Sequence, residues 1–386
     1  MKIALILNDD FSMLHFRKGL ISFLKSKGHE VFAITPDGPY VAAIRGLGAT
    51  HISIPGARFI DPWNDLKLLF RLYAICTREK FDIVHTMTIK PNIYGTIAAR
   101  LTGVKRVVGL VSGAGAMFSD GLSPALRLMR PIIFLMYRFA FFFSDGVWFQ
   151  NEEDARFFAA KKILPAKKAV VIKGGGIDTE EFSPDSLDKR ALEEKKKELG
   201  VEKKDAIVSM VIARMVWSKG VREFIEAAEM AGRKHANAAF LLVGPVEKNS
   251  PDSVPEDYLK ERSGGVVRPV IGFRTDVKEI IALSDIVALP SYYREGVPRV
   301  LLEGLSLGKP VVTTDSIGCR ETVDQGINGY LVPPRDPVAL AEAFDKLLSS
   351  KNAREEFGAR SRMKAQREFE QELTAQKVAD QLYRIK

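Results

Sequence analysis

Cysteine is nearly absent: Cys76 and Cys319 are the only two among 386 residues. One bridge at most rules out a disulfide framework, and a reducing compartment is expected. Histidine is almost as scarce, with five residues at positions 15, 29, 51, 85 and 235. Their scatter gives no metal-ligand spacing, and no Asp-x-Asp pair occurs. Long hydrophobic runs are also missing. The run after Met1-Lys2 in "MKIALILNDDFS" is five residues long, too short for a signal-peptide core, and reads as a buried first strand. The most apolar segment, "PALRLMRPIIFLMYRFAFFFSDGVWF", is interrupted by Arg127, Arg130 and Arg138. Its longest charge-free stretch falls far below the ~18 to 20 residues of a membrane span. No low-complexity tract suggests disorder.

What remains is globular: 46% hydrophobic and 27% charged residues, in a chain long enough for two domains of about 150 to 200 residues. The formal net charge is +9, and it is unevenly placed. Residues 1–180 hold 24 Lys+Arg against 15 Asp+Glu, and the rest of the chain holds 33 of each. The whole excess lies in the first half, which points to an anionic partner.

Short β-branched runs alternate with helical patterns throughout. In the first half strands are predicted at Lys2 to Leu7, Glu30 to Thr35, Thr50 to Ile54, Ile83 to Thr86, Arg106 to Val111, Gly146 to Gln150 and Ala169 to Ile172. Helical segments such as Phe16 to Lys27 and Ile93 to Leu101 separate them. A boundary is expected near Gly174 to Pro184, followed by the solvated run "DKRALEEKKKELGVEKKD". The pattern then restarts with "AIVSMVIAR", "FLLVGP", "VRPVIGF", "IVALPS" and "PVVTTD". Strands spaced by amphipathic helices imply two α/β sheets built from right-handed parallel crossovers. The expected domains are residues 1–180 and 185–369, with a helix at about 370–386 packing back on the first.

Ligands of such sheets bind at the carboxyl ends of strands. After the first strand of the second half, "ARMVWSKGVREF" places Arg214 and Lys219 just before a helix start. Two cations and free helix-start amides outline a diphosphate site. After a later strand, "SYYREGVPRVLLEGLSLGKP" places Glu295 in a loop and Glu303 about two turns into a helix. Eight helical residues cover ~12 Å, enough to straddle a diphosphate. A sugar nucleotide carries hydroxyl donors at both ends and a double anion between them, so one carboxylate per sugar ring fits. The alternative for Glu303 is a structural carboxylate paired with a neighbouring arginine.

The segments "ARMVWSKG", "VGP", "SYYREGVPRVLLEG", "TTDSIGCRETV" and "NGYLVPPRDPVALAEA" resemble the C-terminal half of family 4 retaining glycosyltransferases. "HFRKGLISFLKSKGHEV", "FDIVHTMTIKPNIYGTIAARLTGVKRVVGLVSGAGAMF" and "VIKGGGIDTEEFSP" resemble the branch that builds bacterial surface polysaccharides and lipid-linked oligosaccharides. The resemblance covers nearly the whole chain. It implies the GT-B fold, two Rossmann-like doubly wound α/β domains facing across a cleft. It further implies a UDP-sugar donor, a polyprenyl-diphosphate-linked acceptor, retention of configuration and no metal or other cofactor. Carried onto this sequence, Glu295 meets the donor hexose, Glu303 the ribose, and Arg214 with Lys219 the leaving diphosphate. Gly244, Gly296, Val297 and Pro298 line the donor. Two departures stand out. Ser112 occupies a loop position where many relatives carry a histidine or an acid. Tyr292-Tyr293 doubles a tyrosine that relatives often have once, which could shift Glu295 by a residue.

The first half is expected to hold the acceptor, through His15 and Arg17 after the first strand, Lys90 and Asn92 in "IKPN", and Gly113 and Gly115 in "SGAGAMF". Bland alternatives exist for His15, at a helix start, and for Lys90, as a solvated cation. The stretch Leu122 to Phe143 is expected to dock on the inner, cytoplasmic face of an anionic membrane. As one continuous helix it would gather Arg127, Arg130 and Arg138 within ~80°, unless Pro131 breaks it. Its alternative is an ordinary core helix. Rival functions are a dehydrogenase, a GT-B sugar-nucleotide 2-epimerase and an anionic-polymer binder. "NDDFSM" lacks the glycines a dinucleotide loop needs. The aromatics are not interleaved with basic residues as in nucleic-acid binding, so no nucleic-acid partner is expected.

Overall fold

The parallel strands predicted from β-branched runs form two separate sheets in the computed structural model. It describes residues 1–56, 61–113, 124–212, 214–247, 250–262 and 265–385, without the side chains of 124–126. The chain divides into one unit of Met1–Gly176 with Gln371–Lys386, and a second of Ile177–Glu370.

The first sheet has seven parallel strands: β1 (Lys2–Ile6), β2 (Glu30–Thr35), β3 (Thr50–Ser53), β4 (Ile83–Met87), β5 (Arg106–Val111), β6 (Gly146–Phe149) and β7 (Ala169–Val171), ordered 3-2-1-4-5-6-7. Alternation along β1 shows how both faces are covered. Ile3, Leu5 and Leu7 pack with the helix Asp10–Ser26 and with Ala375, Val378 and Leu382 of the C-terminal segment. Ala4 and Ile6 point into the core beneath the helices Pro62–Glu79 and Thr96–Leu101. The helix Pro124–Phe142 covers the same face further along, burying Ile133, Tyr137, Ala140 and Phe141 against Val111 and Phe149. It runs through Pro131 without ending there.

The second sheet has six parallel strands: β8 (Ala206–Val211), β9 (Ala238–Gly244), β10 (Val267–Ile271), β11 (Ile286–Leu289), β12 (Val311–Thr314) and β13 (Gly329–Val332), ordered 10-9-8-11-12-13. β13 was not among the strands predicted. The tetrapeptide is short, and only its register on Val311 to Thr314 makes it a strand. Both orders reverse once. The reversal lies between β1 and β4 in the first unit and between β8 and β11 in the second. The connections on either side of such a point leave in opposite directions and open a crevice at the strand ends.

Candidate active site

In the second unit the loops after β8 and β11 touch at that reversal. Gly220 sits at φ 82° as the cap of the helix Val221–Lys234, and a Cβ there would overlap the Pro290 carbonyl oxygen. Only glycine combines that left-handed backbone with so close an approach. The Ser218 carbonyl then accepts from the amides of Tyr292, 2.9 Å, and Tyr293, 3.0 Å. Asp252 holds the other side of the β8 loop, accepting from the Ser218 hydroxyl and, at 3.2 Å, from its amide.

This seam gathers the charged groups. Lys219 Nζ forms an ion pair with Glu295 Oε1, with side chains 15% and 12% exposed, and Ser291 Oγ donates to the same oxygen at 3.1 Å. The Lys219 ammonium lies 5.4 Å and the Arg214 guanidinium 5.9 Å from the Tyr293 ring centroid. One aromatic ring therefore attracts both cations. Tyr292 instead receives Arg335, 4.4 Å from its ring centroid. The doubled tyrosine thus has two different tasks, and Glu295 remains in register with Lys219.

The helix Arg299–Ser306 begins after Pro298, which caps it with ψ 123°. Val297 and Pro298 are buried. Glu303, 8% exposed, accepts from Arg299 Nε at 2.9 Å. Burial pushes its carboxyl above the ordinary range, and the Arg299 charge opposes that shift. The pairing foreseen as the alternative for Glu303 is therefore present. Gly244, at φ 152°, lets β9 pass the Ile212 carbonyl. Gly318, at φ 81°, brings the loop after β12 onto the Gly296 carbonyl, where a Cβ would overlap.

Sequence reasoning missed several members of this site. Ser291 orients Glu295, Tyr293 collects the cations, and Thr314 and Ser316 both donate to the Ser291 carbonyl. Glu223, in the first turn after Gly220, is 8% exposed and its Oε2 has no hydrogen-bond partner among the described residues. Burial raises its pKa above the usual carboxylate value. Proximity to the Lys219-Gly220 turn was the one signal that pointed to Glu223.

In the first unit the loops after β1 and β4 flank the corresponding reversal. Asp9 caps the helix Asp10–Ser26, accepting from the Ser12 amide at 2.6 Å. His15 packs its ring 4.3 Å from Phe11 and 5.2 Å from Tyr40. Arg17 is 4% exposed; its Nε donates to Met87 Sδ at 3.1 Å and its guanidinium lies 5.3 Å from the Trp148 ring. Lys90 is no solvated cation: its Nζ lies 2.5 Å from Asp65 Oδ1 in a pair 12% and 6% exposed. Asn92 needs correction as an acceptor contact. It is wholly buried, accepts from Thr86 Oγ1 at 2.8 Å and donates to the Leu110 carbonyl at 2.7 Å, so its amide ties β4 to β5. Between β4 and Lys90, Thr88 adopts φ 71°, a strained state for a β-branched residue, and its buried hydroxyl has no partner among the described residues. Gly113 has φ 112°. Gly115 lies outside the described residues.

Residues 192–364 match the family profile "Glycosyl transferases group 1" and residues 2–151 match "Glycosyl transferase 4-like". The chain is 32% identical, over 92% of its length and 91% of the relative's, to the N,N'-diacetylbacillosaminyl-diphospho-undecaprenol alpha-1,3-N-acetylgalactosaminyltransferase of Campylobacter jejuni. It is 29% identical, over 77% of this chain and 76% of the relative, to the UDP-Gal:alpha-D-GlcNAc-diphosphoundecaprenol alpha-1,3-galactosyltransferase of Escherichia coli. Among solved structures, HepE of Anabaena in complex with UDP and glucose superposes with a TM-score of 0.80 at 19% identity, covering 100% of both chains. That likeness shows the GT-B fold.

Proposed function

Because this chain belongs to the glycosyltransferases, with a group 1 half and a 4-like half, we propose that it moves an N-acetylhexosamine from a UDP-sugar to a polyprenyl-diphosphate-linked sugar. Configuration is retained and no divalent metal takes part. The observation that carries the donor reading is the seam at the β8/β11 reversal, where Arg214 and Lys219 lie 5.9 and 5.4 Å from the Tyr293 ring centroid and Lys219 pairs with Glu295. In this reading the bond from the anomeric carbon to the diphosphate breaks, an acceptor-sugar hydroxyl oxygen bonds to that carbon, and its proton leaves with the departing UDP, on which negative charge grows. Arg214 and Lys219 stabilise that charge, with the amides of Gly296, Val297, Arg299 and Val300 as further donors. Glu295 accepts from hexose hydroxyls, and Glu303 accepts from the ribose hydroxyls through the carboxylate lone pairs that Arg299 leaves.

The acceptor reading rests on the relatives, whose names specify undecaprenyl-diphosphate-linked sugars. Lys90, held by Asp65, and His15, held by Phe11 and Tyr40, stand at the first unit's reversal. Arg17 and Gly113 complete that end of the sheet, near a lipid diphosphate. Attachment to the inner face of an anionic membrane is assigned to the stretch Leu122 to Phe143. Its described part exposes Leu128, Ile132, Leu135, Phe139 and Phe142. No helix of the described residues is long and apolar enough to cross a membrane.

Initial rates on a lipid-linked acceptor test the chemistry. Transfer is expected to continue undiminished in EDTA, whereas strict dependence on added divalent metal would refute the mechanism. Arg214→Ala and Lys219→Ala are expected to lower turnover more than donor binding, since the charge they meet develops in the transition state.

A further inference from the structure

Two helices on one face of the first sheet share an unusual exposed pattern, and only one of them stood out in the sequence. On the helix Pro62–Glu79, Trp63 is 75%, Phe70 63%, Tyr73 42% and Leu66 41% exposed. At 100° per residue these four fall within about 80° of arc. Lys67, Arg71 and Arg78, all exposed, fall in the adjoining sector of about 40°. The opposite side, Leu68, Leu72, Ile75 and Cys76, is core. The helix Pro124–Phe142 repeats the arrangement. Leu128, Ile132, Leu135, Phe139 and Phe142 are 57% to 80% exposed and share about 80° of arc, with exposed Arg127 and Arg138 to one side. Both helices pack against the same intervening segment, Pro91–Leu101, whose Leu101 is itself 68% exposed.

Contiguous exposed apolar stripes mark interaction sites. Charge selects the occupant. The helix Pro124–Phe142 contains no acid at all. On Pro62–Glu79, Asp65 is buried against Lys90, leaving Glu79 at the far end as the remaining acid. An apolar stripe bordered on its own helix by cations, in the half of the chain that carries the entire basic excess, complements an anionic lipid surface.

We propose that the helix Pro62–Glu79 is a second membrane-contact element, forming with Pro124–Phe142 a two-limbed docking face for anionic lipid. This rests on the docking assigned above to Leu122–Phe143 and extends it. Two limbs fix an orientation where one helix leaves the domain free to roll about its axis. Asp65 links the new limb to the proposed acceptor end of the sheet. The carboxylate takes Lys90 on one oxygen and, on the other, the Tyr94 hydroxyl at 3.2 Å. These contacts tie the docked helix to the loop after β4.

The test uses the full-length chain with vesicles of phosphatidylcholine alone or with phosphatidylglycerol. Trp148 is 1% exposed and Trp217 lies in the second unit, so Trp63 reports on this helix. Vesicles containing phosphatidylglycerol are expected to shift its emission to the blue, brominated lipid to quench it, and Trp63→Phe to abolish both effects. Lys67→Glu with Arg71→Glu is expected to weaken co-sedimentation at least tenfold, with circular dichroism and melting temperature unchanged because both positions are solvated. Suppose the chain co-sediments, loses binding in Leu128→Ser with Leu135→Ser, yet shows no Trp63 shift. The second limb is then wrong while docking through Pro124–Phe142 stands. No co-sedimentation under any condition overturns both. Sedimentation velocity covers the remaining occupant: a dimer that Trp63→Ser with Phe70→Ser converts to monomer, without vesicle binding, makes the face a contact between two copies and overturns the lipid proposal.

Discussion

Glu303 is under two opposing influences. Burial in the helix Arg299–Ser306 favours its neutral form, while the proposed ribose contact needs the carboxylate as acceptor. Because the folded pKa lies above the ordinary 4.5, protonation sets in at a higher pH than for an exposed glutamate. UDP affinity is therefore expected to fall as pH drops from neutral toward that raised value, and Glu303→Gln to flatten the profile. Removing the acceptor altogether, in Glu303→Ala, is expected to weaken UDP by about 1.5 to 3 kcal/mol, the range for hydrogen bonds to a charged group. Titration calorimetry checks both, and equal affinity in wild type and Glu303→Ala would end the ribose assignment.

Among the loops, the one after β12 has a positioning task that no charged side chain reveals. Gly318 lies against the carbonyls of Gly296 and Glu295, so the loop carrying Glu295 rests on backbone. Thr314 and Ser316 fasten the same region from β12 by donating to the Ser291 carbonyl. In Gly318→Ala the added methyl must push that loop aside, and a displacement near 1 Å at a reacting geometry costs on the order of 10²-fold in rate. A drop of that size in kcat/KM is expected, together with a clearly lowered melting temperature, because the methyl meets backbone at a left-handed φ. Unchanged kinetics would show that the loop's placement does not matter to transfer.

For the whole molecule, the return of the C-terminal segment to the first unit is a matter of stability. Tyr383 Oη and His85 Nδ1 share a hydrogen bond of 2.8 Å, and Arg106 donates to the Leu382 carbonyl at 2.7 and 2.9 Å. Both rings are buried, and His85 Nε2 has no partner among the described residues. Burial, reinforced by the Arg17 charge, holds the His85 pKa well below 6.5. The folded state thus binds fewer protons at this site than the unfolded chain. Its contribution to stability is complete above the unfolded value of about 6.5 and is lost as pH falls below it. Tyr383→Phe is expected to cost about 1 to 3 kcal/mol by leaving Nδ1 unsatisfied, read as a lower urea midpoint. Equal midpoints would show that this bond does not hold the segment in place.

The sequence by itself determined every strand except β13, and the class of chemistry. Runs such as Glu30 to Thr35 and Arg106 to Val111 match the observed strands residue for residue, because fully buried parallel strands are written as unbroken apolar runs. Arg214, Lys219, Glu295 and Glu303 became candidates because residues beyond strands fall toward the ligand-binding end of any such sheet. Tertiary structure decided what periodicity does not encode. Strand order sets β8 beside β11, and that adjacency, 76 residues apart in sequence, brings Lys219 to Glu295. Burial turned Asn92 from a candidate contact into a strut between strands. The helix Pro124–Phe142, apolar nearly all round, read equally well as core or surface, because the sequence does not say how much of a helix its neighbours will cover. The packed sheet covers one side and leaves Leu128, Ile132, Leu135, Phe139 and Phe142 in the open.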